Sequence, residues 1–136
     1  MAASVLPDLS GLIGIPFVDG GRDPLKGLDC WGLFMEAQKR FGVDVPDFQV
    51  SCHSTPGIDG AFAEAIGKWR RIEKPTPGCG VALAIDPNFP DAVQHFGVYI
   101  GGGKFLHTLE KTGAILTSVH HEFWKGKVRG FYEWAG

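Results

Sequence analysis

The sequence predicts an α+β domain, with helices first and a meandering antiparallel sheet afterwards. Three observations lead there. A capped amphipathic pattern opens at residue 30, strand-like runs replace helical spacing beyond about residue 70, and three glycines at 101–103 join two of those runs. At 136 residues the chain fits one domain, 1–136, and buries roughly two thirds of its unfolded surface.

A short helix or turn is expected near residues 8–13, ahead of the glycine-rich approach "GIPFVDGGRDPLKG". A helix follows at about 30–41, with Asp29 as N-cap, Leu28 and Leu33 at the staple positions and Gly42 at the stop. Leu33, Ala37 and Phe41 form one apolar row beside Phe34, while Lys39 and Arg40 suit the C-terminal dipole. Residues 43–58 read as a long surface loop. A second amphipathic helix is expected at 59–69, capped by Asp59, with Phe62, Ala65, Ile66 and Trp69 inward. Strands are expected at "GVALAI" (80–85), "HFGVYI" (95–100), "KFLHTL" (104–109), "GAILTSV" and "KVRGFYEW".

Composition narrows the function. The net charge is −2 without a basic run, so nothing favours an electrostatic grip on nucleic acid or an anionic membrane. No apolar stretch is long enough to span a bilayer, and the N-terminus lacks the marks of an export signal. The expectation is synthesis in the cytoplasm, with any passage outward needing another carrier. Cys30, Cys52 and Cys79 are odd in number and widely spaced, which is no disulfide framework. The adjacent Cys52 and His53 lack the spacing of zinc ligands, so neither a metal nor another cofactor is expected.

The hairpin carries two histidines. Side chains alternate along a strand, so His95, Gly97 and Tyr99 share one face and Phe96, Val98 and Ile100 the other. If Gly101–Gly103 form a three-residue loop, Ile100 pairs with Lys104 and His107 falls opposite Gly97. His95 and His107 then lie diagonally on one face, whereas a two-residue loop would separate them. Gly97 leaves room for a ring to lie flat. The apolar residues would pack against a helix, so that chemistry and core use opposite faces of one ribbon.

Cys30 stands where a thiolate is favoured. A free thiol is only a few per cent ionised at neutral pH, and both a helix N-terminus and a nearby imidazolium favour the anion. His95 would take the thiol proton and return it to the leaving amine, with His107 holding its ring and tautomer. The Cys30 backbone N–H, at the helix start, would face the oxyanion. Cys79, after "PTPG", reads as structural. Cys52 and His53 fall in the long loop as candidates for substrate contact, and His120 and His121 read as surface or edge residues.

"GGRDP" followed by "GLDCWGL", then "PTPGCGVALAI" and "HFGVYIGGGKFLHT", resemble the NlpC-type cell-wall cysteine peptidases from about residue 12 to the C-terminus. The resemblance implies a compact papain-like fold and a Cys30, His95 and His107 triad. It also implies Phe17, Asp29 and Trp31 in the substrate and oxyanion region. Members usually cleave stem peptides of bacterial peptidoglycan, often between D-glutamate and a diamino acid. "GGRDP", together with tryptophan after the cysteine, looks like members encoded in tail modules of phages, prophages and gene transfer agents. That implies tail-tip or hub proteins as partners and local opening of the wall during genome delivery.

One departure stands out. Phe17 occupies a position where the family usually has tyrosine, keeping the ring and losing a donor, and Asp19 replaces an often aromatic residue. Loss of one oxyanion donor costs ~10²–10³ in rate. The alternatives are a structural tail-tip module with reduced or no catalysis, and an amidase or transacylase using the same triad.

Overall fold

In the computed structural model, which describes residues 7–47 and 68–135, local signals set the first half of the chain. A 3-10 turn at Ser10–Leu12 leads to a small hairpin of β1 (Arg22–Asp23) and β2 (Gly27–Leu28). Helix α1 (Cys30–Arg40) begins immediately after it. Asp29 caps α1 in extended conformation, Leu28 and Leu33 are both buried, and Gly42 lies just past the end with φ +79°. These are the boundaries expected from sequence.

The second half is β3 (Trp69–Ile72), β4 (Gly80–Leu83), β5 (His95–Gly101), β6 (Lys104–Leu109), β7 (Gly113–Ser118), the short helix α2 (Glu122–Lys125) and β8 (Val128–Trp134). β3 to β8 form one six-stranded antiparallel sheet in the order β3-β8-β4-β5-β6-β7. The expected meander runs from β4 to β7. β8 departs from it, returning to the other side of β4 and separating β4 from β3.

Three expectations differ from the structure. The helix proposed for 59–69 does not reach its last residue: Trp69 is buried, but in β3, paired with Trp134 of β8. The two indoles meet edge-on with centroids 4.9 Å apart, a cross-strand contact that outweighs helical spacing. Residues 59–67 of that proposal lie outside the described residues, as does the loop from 48 to 58.

The second correction concerns the hairpin. Its loop is two residues, not three: Gly101 pairs with Lys104, and Gly102 and Gly103 turn with φ +63° and +77°, the sign that a tight primed turn demands. Ile100 is a bulge, since Tyr99 pairs with Phe105 and Val98 with Leu106. The bulge restores the residue that the shorter loop omits. The histidines therefore share a face after all, by a different route from the one anticipated.

Both faces of the sheet are covered. Trp31, Leu33, Phe34 and Ala37 of α1 pack on Phe96, Val98 and Leu106. On the opposite face Val81, Leu83 and Phe105 pack beneath Val119 and Trp124. The expectation that the histidine face is left for chemistry alone is thus overturned, because that face carries a second core. The ring over Gly97 is that of Phe105, only 2.6 Å from where a Cβ would stand.

Candidate active site

The N-terminus of α1 is held by one buried carboxylate. Asp29, 1% exposed, accepts from Gly32 N at 2.7 Å and from Arg22 Nη1 at 2.5 Å through Oδ1, and from Gly20 N at 3.0 Å through Oδ2. Arg22 also donates to Gly21 O at 2.9 Å and, through Nε, to Asp47 Oδ1 at 2.8 Å. This explains the spacing in "GGRDP…GLDC": the first segment wraps the carboxylate that starts the helix. Cys30 follows directly, 4% exposed and not disulfide-bonded.

The histidines meet directly. His95 Nε2 lies 2.8 Å from His107 Nδ1, and His107 Nε2 lies 2.8 Å from Thr117 Oγ1 of β7. Trp124 covers both rings, near-parallel to His95 at 6.3 Å and edge-on to His107 at 4.8 Å. His95 and His107 are 3% and 0% exposed. Burial holds His95 below its ordinary pKa of 6.5, at about 4, and burial with the neighbouring His95 lowers His107 as well. Both rings are therefore neutral at neutral pH.

Cys30 and His95 line a common cleft of about 390 Å³. Phe17 forms part of its wall, as do Asp86, Thr108 and Glu110. The Thr108 hydroxyl is buried and has no hydrogen-bond partner among the described residues. Gln94 braces one lip, its side-chain carbonyl accepting from Ile85 N and its amide donating to Ala92 O at 2.9 Å.

The structure brings Cys30, His95 and Phe17 to this cleft, with His107 behind His95. Asp29 and Trp31, placed in the substrate and oxyanion region from sequence, do not line it. Asp29 lies beneath the helix start. Trp31 packs into the core on Phe34 and Phe96 and donates through Nε1 to Pro46 O at 3.0 Å. Cys79 is buried with its thiol pushed up to about 11 by burial, in keeping with a structural role. His120 and His121 are exposed, and His121 caps α2 by accepting from Phe123 N. Cys52 and His53 lie outside the described residues. Among the described residues no group of three His, Cys, Asp or Glu side chains is placed to hold a metal ion.

Sequence reasoning missed Thr117, Trp124, Thr108 and Gln94. Alternation in "GAILTSV" puts Ile115 and Thr117 on one face, but only the β6–β7 register, with Phe105 opposite Thr117 and Ile115 opposite His107, brings the hydroxyl to the ring. Trp124 gave no periodic signal.

A cysteine-headed helix laid across an antiparallel sheet defines the compact papain-like α+β class. The chain belongs to the NlpC/P60 family, whose model matches residues 14–133. The gamma-DL-glutamyl hydrolase of Bacillus subtilis (strain 168) is 25% identical over 130 residues, covering 93% of this chain and 28% of the relative. The chain thus spans little more than a quarter of that protein. An NlpC/P60 family protein from Bacillus cereus ATCC 10987 superposes with TM-score 0.67 at 18% identity, covering 92% of this chain and 37% of the other. The NlpC/p60 domain of the peptidoglycan hydrolase SagA superposes with TM-score 0.58 at 22% identity, covering 90% and 89% respectively.

Proposed function

We propose that this domain is a cysteine peptidase that hydrolyses stem peptides of bacterial peptidoglycan, with Cys30 as nucleophile, His95 as acid and base and His107 as its orienting partner. One observation carries the reading. Cys30 and His95 share a cleft, while His95 Nε2 is engaged by His107, leaving Nδ1 as the ring nitrogen available to the thiol. Neutral His95 accepts the thiol proton at Nδ1 as Sγ adds to the scissile carbonyl carbon. The C–N bond then breaks, the amine leaves with the proton from Nδ1, and a thioester remains. Water attacks the thioester, giving its proton to Nδ1; the C–S bond then breaks, the acyl group leaves as the carboxylic acid, and the thiolate takes the proton back from Nδ1. The helix-start N–H of Cys30 supports the oxyanion in both halves.

The substrate class is supported by the family and by relatives described as a peptidoglycan hydrolase and a gamma-DL-glutamyl hydrolase. Digestion of purified murein by the wild-type chain and by Cys30→Ala tests the reading. Fragments should appear with the first alone; equal release by both, or by neither, rejects it.

The place of action proposed is the tail tip of a phage-like particle, bound to tail or hub proteins and opening the wall during genome delivery. The "GGRDP" and "DCW" motifs support it. Mass spectrometry of purified particles checks this, the chain being expected in tail fractions. Phe17, with no hydroxyl on the cleft wall, favours a second reading: a structural tail module with little turnover. That module would show no accelerated alkylation of Cys30 by iodoacetamide at pH 6. Product masses separate hydrolysis from transacylation.

A further inference from the structure

The His95–His107 pair does not end at His107, and its continuation has a direction. For His95 Nδ1 to receive a proton, the ring must carry its hydrogen on Nε2. Nε2 then donates to His107 Nδ1, which must be bare, so the His107 hydrogen sits on Nε2, facing Thr117 Oγ1 at 2.8 Å. In the opposite arrangement Thr117 donates, His107 donates to His95, and His95 presents an N–H to the thiol. That state cannot act as a base. The choice between the two is made at the hydroxyl. Thr117 is only half-buried and stands on edge strand β7, so its hydroxyl hydrogen can turn towards solvent while the oxygen accepts from His107. Phe105 and Trp124 pack on the His107 ring at 4.4 and 4.8 Å and hold it in place.

We infer that Thr117 is a positioning residue, the fourth member of a Cys30–His95–His107–Thr117 relay, whose hydroxyl accepts from His107 Nε2 and thereby selects the base-competent tautomer of both rings. The inference rests on the proposed peptidase reading for its consequence, but its geometry is independent of turnover.

Thr117→Val keeps the shape and β preference of the side chain and removes the acceptor, whereas Thr117→Ser keeps the acceptor. Long-range ¹H–¹⁵N spectra of the ring nitrogens at neutral pH, on the whole 136-residue chain, read the tautomers directly. The wild type and Thr117→Ser should show both rings protonated on Nε2, and Thr117→Val should show a mixture. Against stem peptide, kcat should fall about three- to tenfold in Thr117→Val, the worth of one neutral hydrogen bond, with KM unchanged and with rescue in Thr117→Ser. A wild-type His107 protonated on Nδ1, or a Thr117→Val spectrum identical to wild type, overturns the inference. If the wild type shows no turnover, the peptidase reading fails and the spectra alone decide the role of Thr117.

Discussion

Thr108 Oγ1 sits in the cleft wall, buried and unpartnered among the described residues, and such a group costs about 1–3 kcal/mol to leave unmade. Thr108→Val is expected to raise the urea midpoint by the equivalent of ~1 kcal/mol and to raise KM for stem peptide. A lowered midpoint would show that the hydroxyl is satisfied in the resting domain. Phe17 argues in the other direction. Its ring lines the same cleft as Cys30, so Phe17→Tyr restores a donor there; kcat should rise by about tenfold, a conservative share of what one oxyanion donor contributes. Unchanged kcat would mean that the hydroxyl has no part in this variant of the site. Cys30, His95 and His107 were legible in the sequence because each stands in a local pattern, a capped helix start or a strand alternation. Thr117 and Trp124 were not, because their partners lie across a sheet register and a loop fold that no short window contains.

At the scale of elements, the start of α1 depends on the Asp29 hub. Removing the aspartate takes away the N-cap together with the acceptor of Gly20, Gly32 and Arg22, while Arg22 keeps Asp47 as a partner. Asp29→Ala is expected to cost about 3 kcal/mol by urea unfolding, and Arg22→Ala less, because Arg22 is partly exposed and Gly20 and Gly32 still donate to the carboxylate. If Asp29→Ala left stability unchanged, the hub would be incidental to the fold. The helix was readable in the sequence almost to the residue, since caps and stops act within a turn. The hairpin was half readable: the shared face of the histidines was anticipated, but not the bulge at Ile100 that secures it. Trp69 was misplaced for a different reason, since its strand exists only by pairing with residues 131–134, far along the chain.

For the molecule as a whole, two neutral histidines inside the second core link stability to pH. The His95 pKa is lowered from 6.5 to about 4 by burial, so between these values the unfolded chain takes up a proton that the native state refuses. Stability is therefore fully present above pH 6.5 and lost as pH falls towards 4, by about 3 kcal/mol from this residue. His107 shifts in the same direction and adds to the loss. Urea midpoints at pH 7 and pH 4.5 should differ more in the wild type than in His95→Gln; equal differences would place the acid sensitivity elsewhere. The α+β class was evident from the order of patterns along the chain, but the covering of both sheet faces was not, because α2 is too short to announce itself.

The position of β8 has a consequence for how such a domain comes into being. The strand made last is the one that separates β3 from β4, and Ala135 N closes the edge on Lys68 O at 2.9 Å. A nascent chain halted before Val128 leaves β3 without a neighbour and β4 with an open edge, ready to pair wrongly. Residues 128–134 are thus the segment that commits the sheet, and the cleft resting on that sheet is completed only once they have paired on both sides.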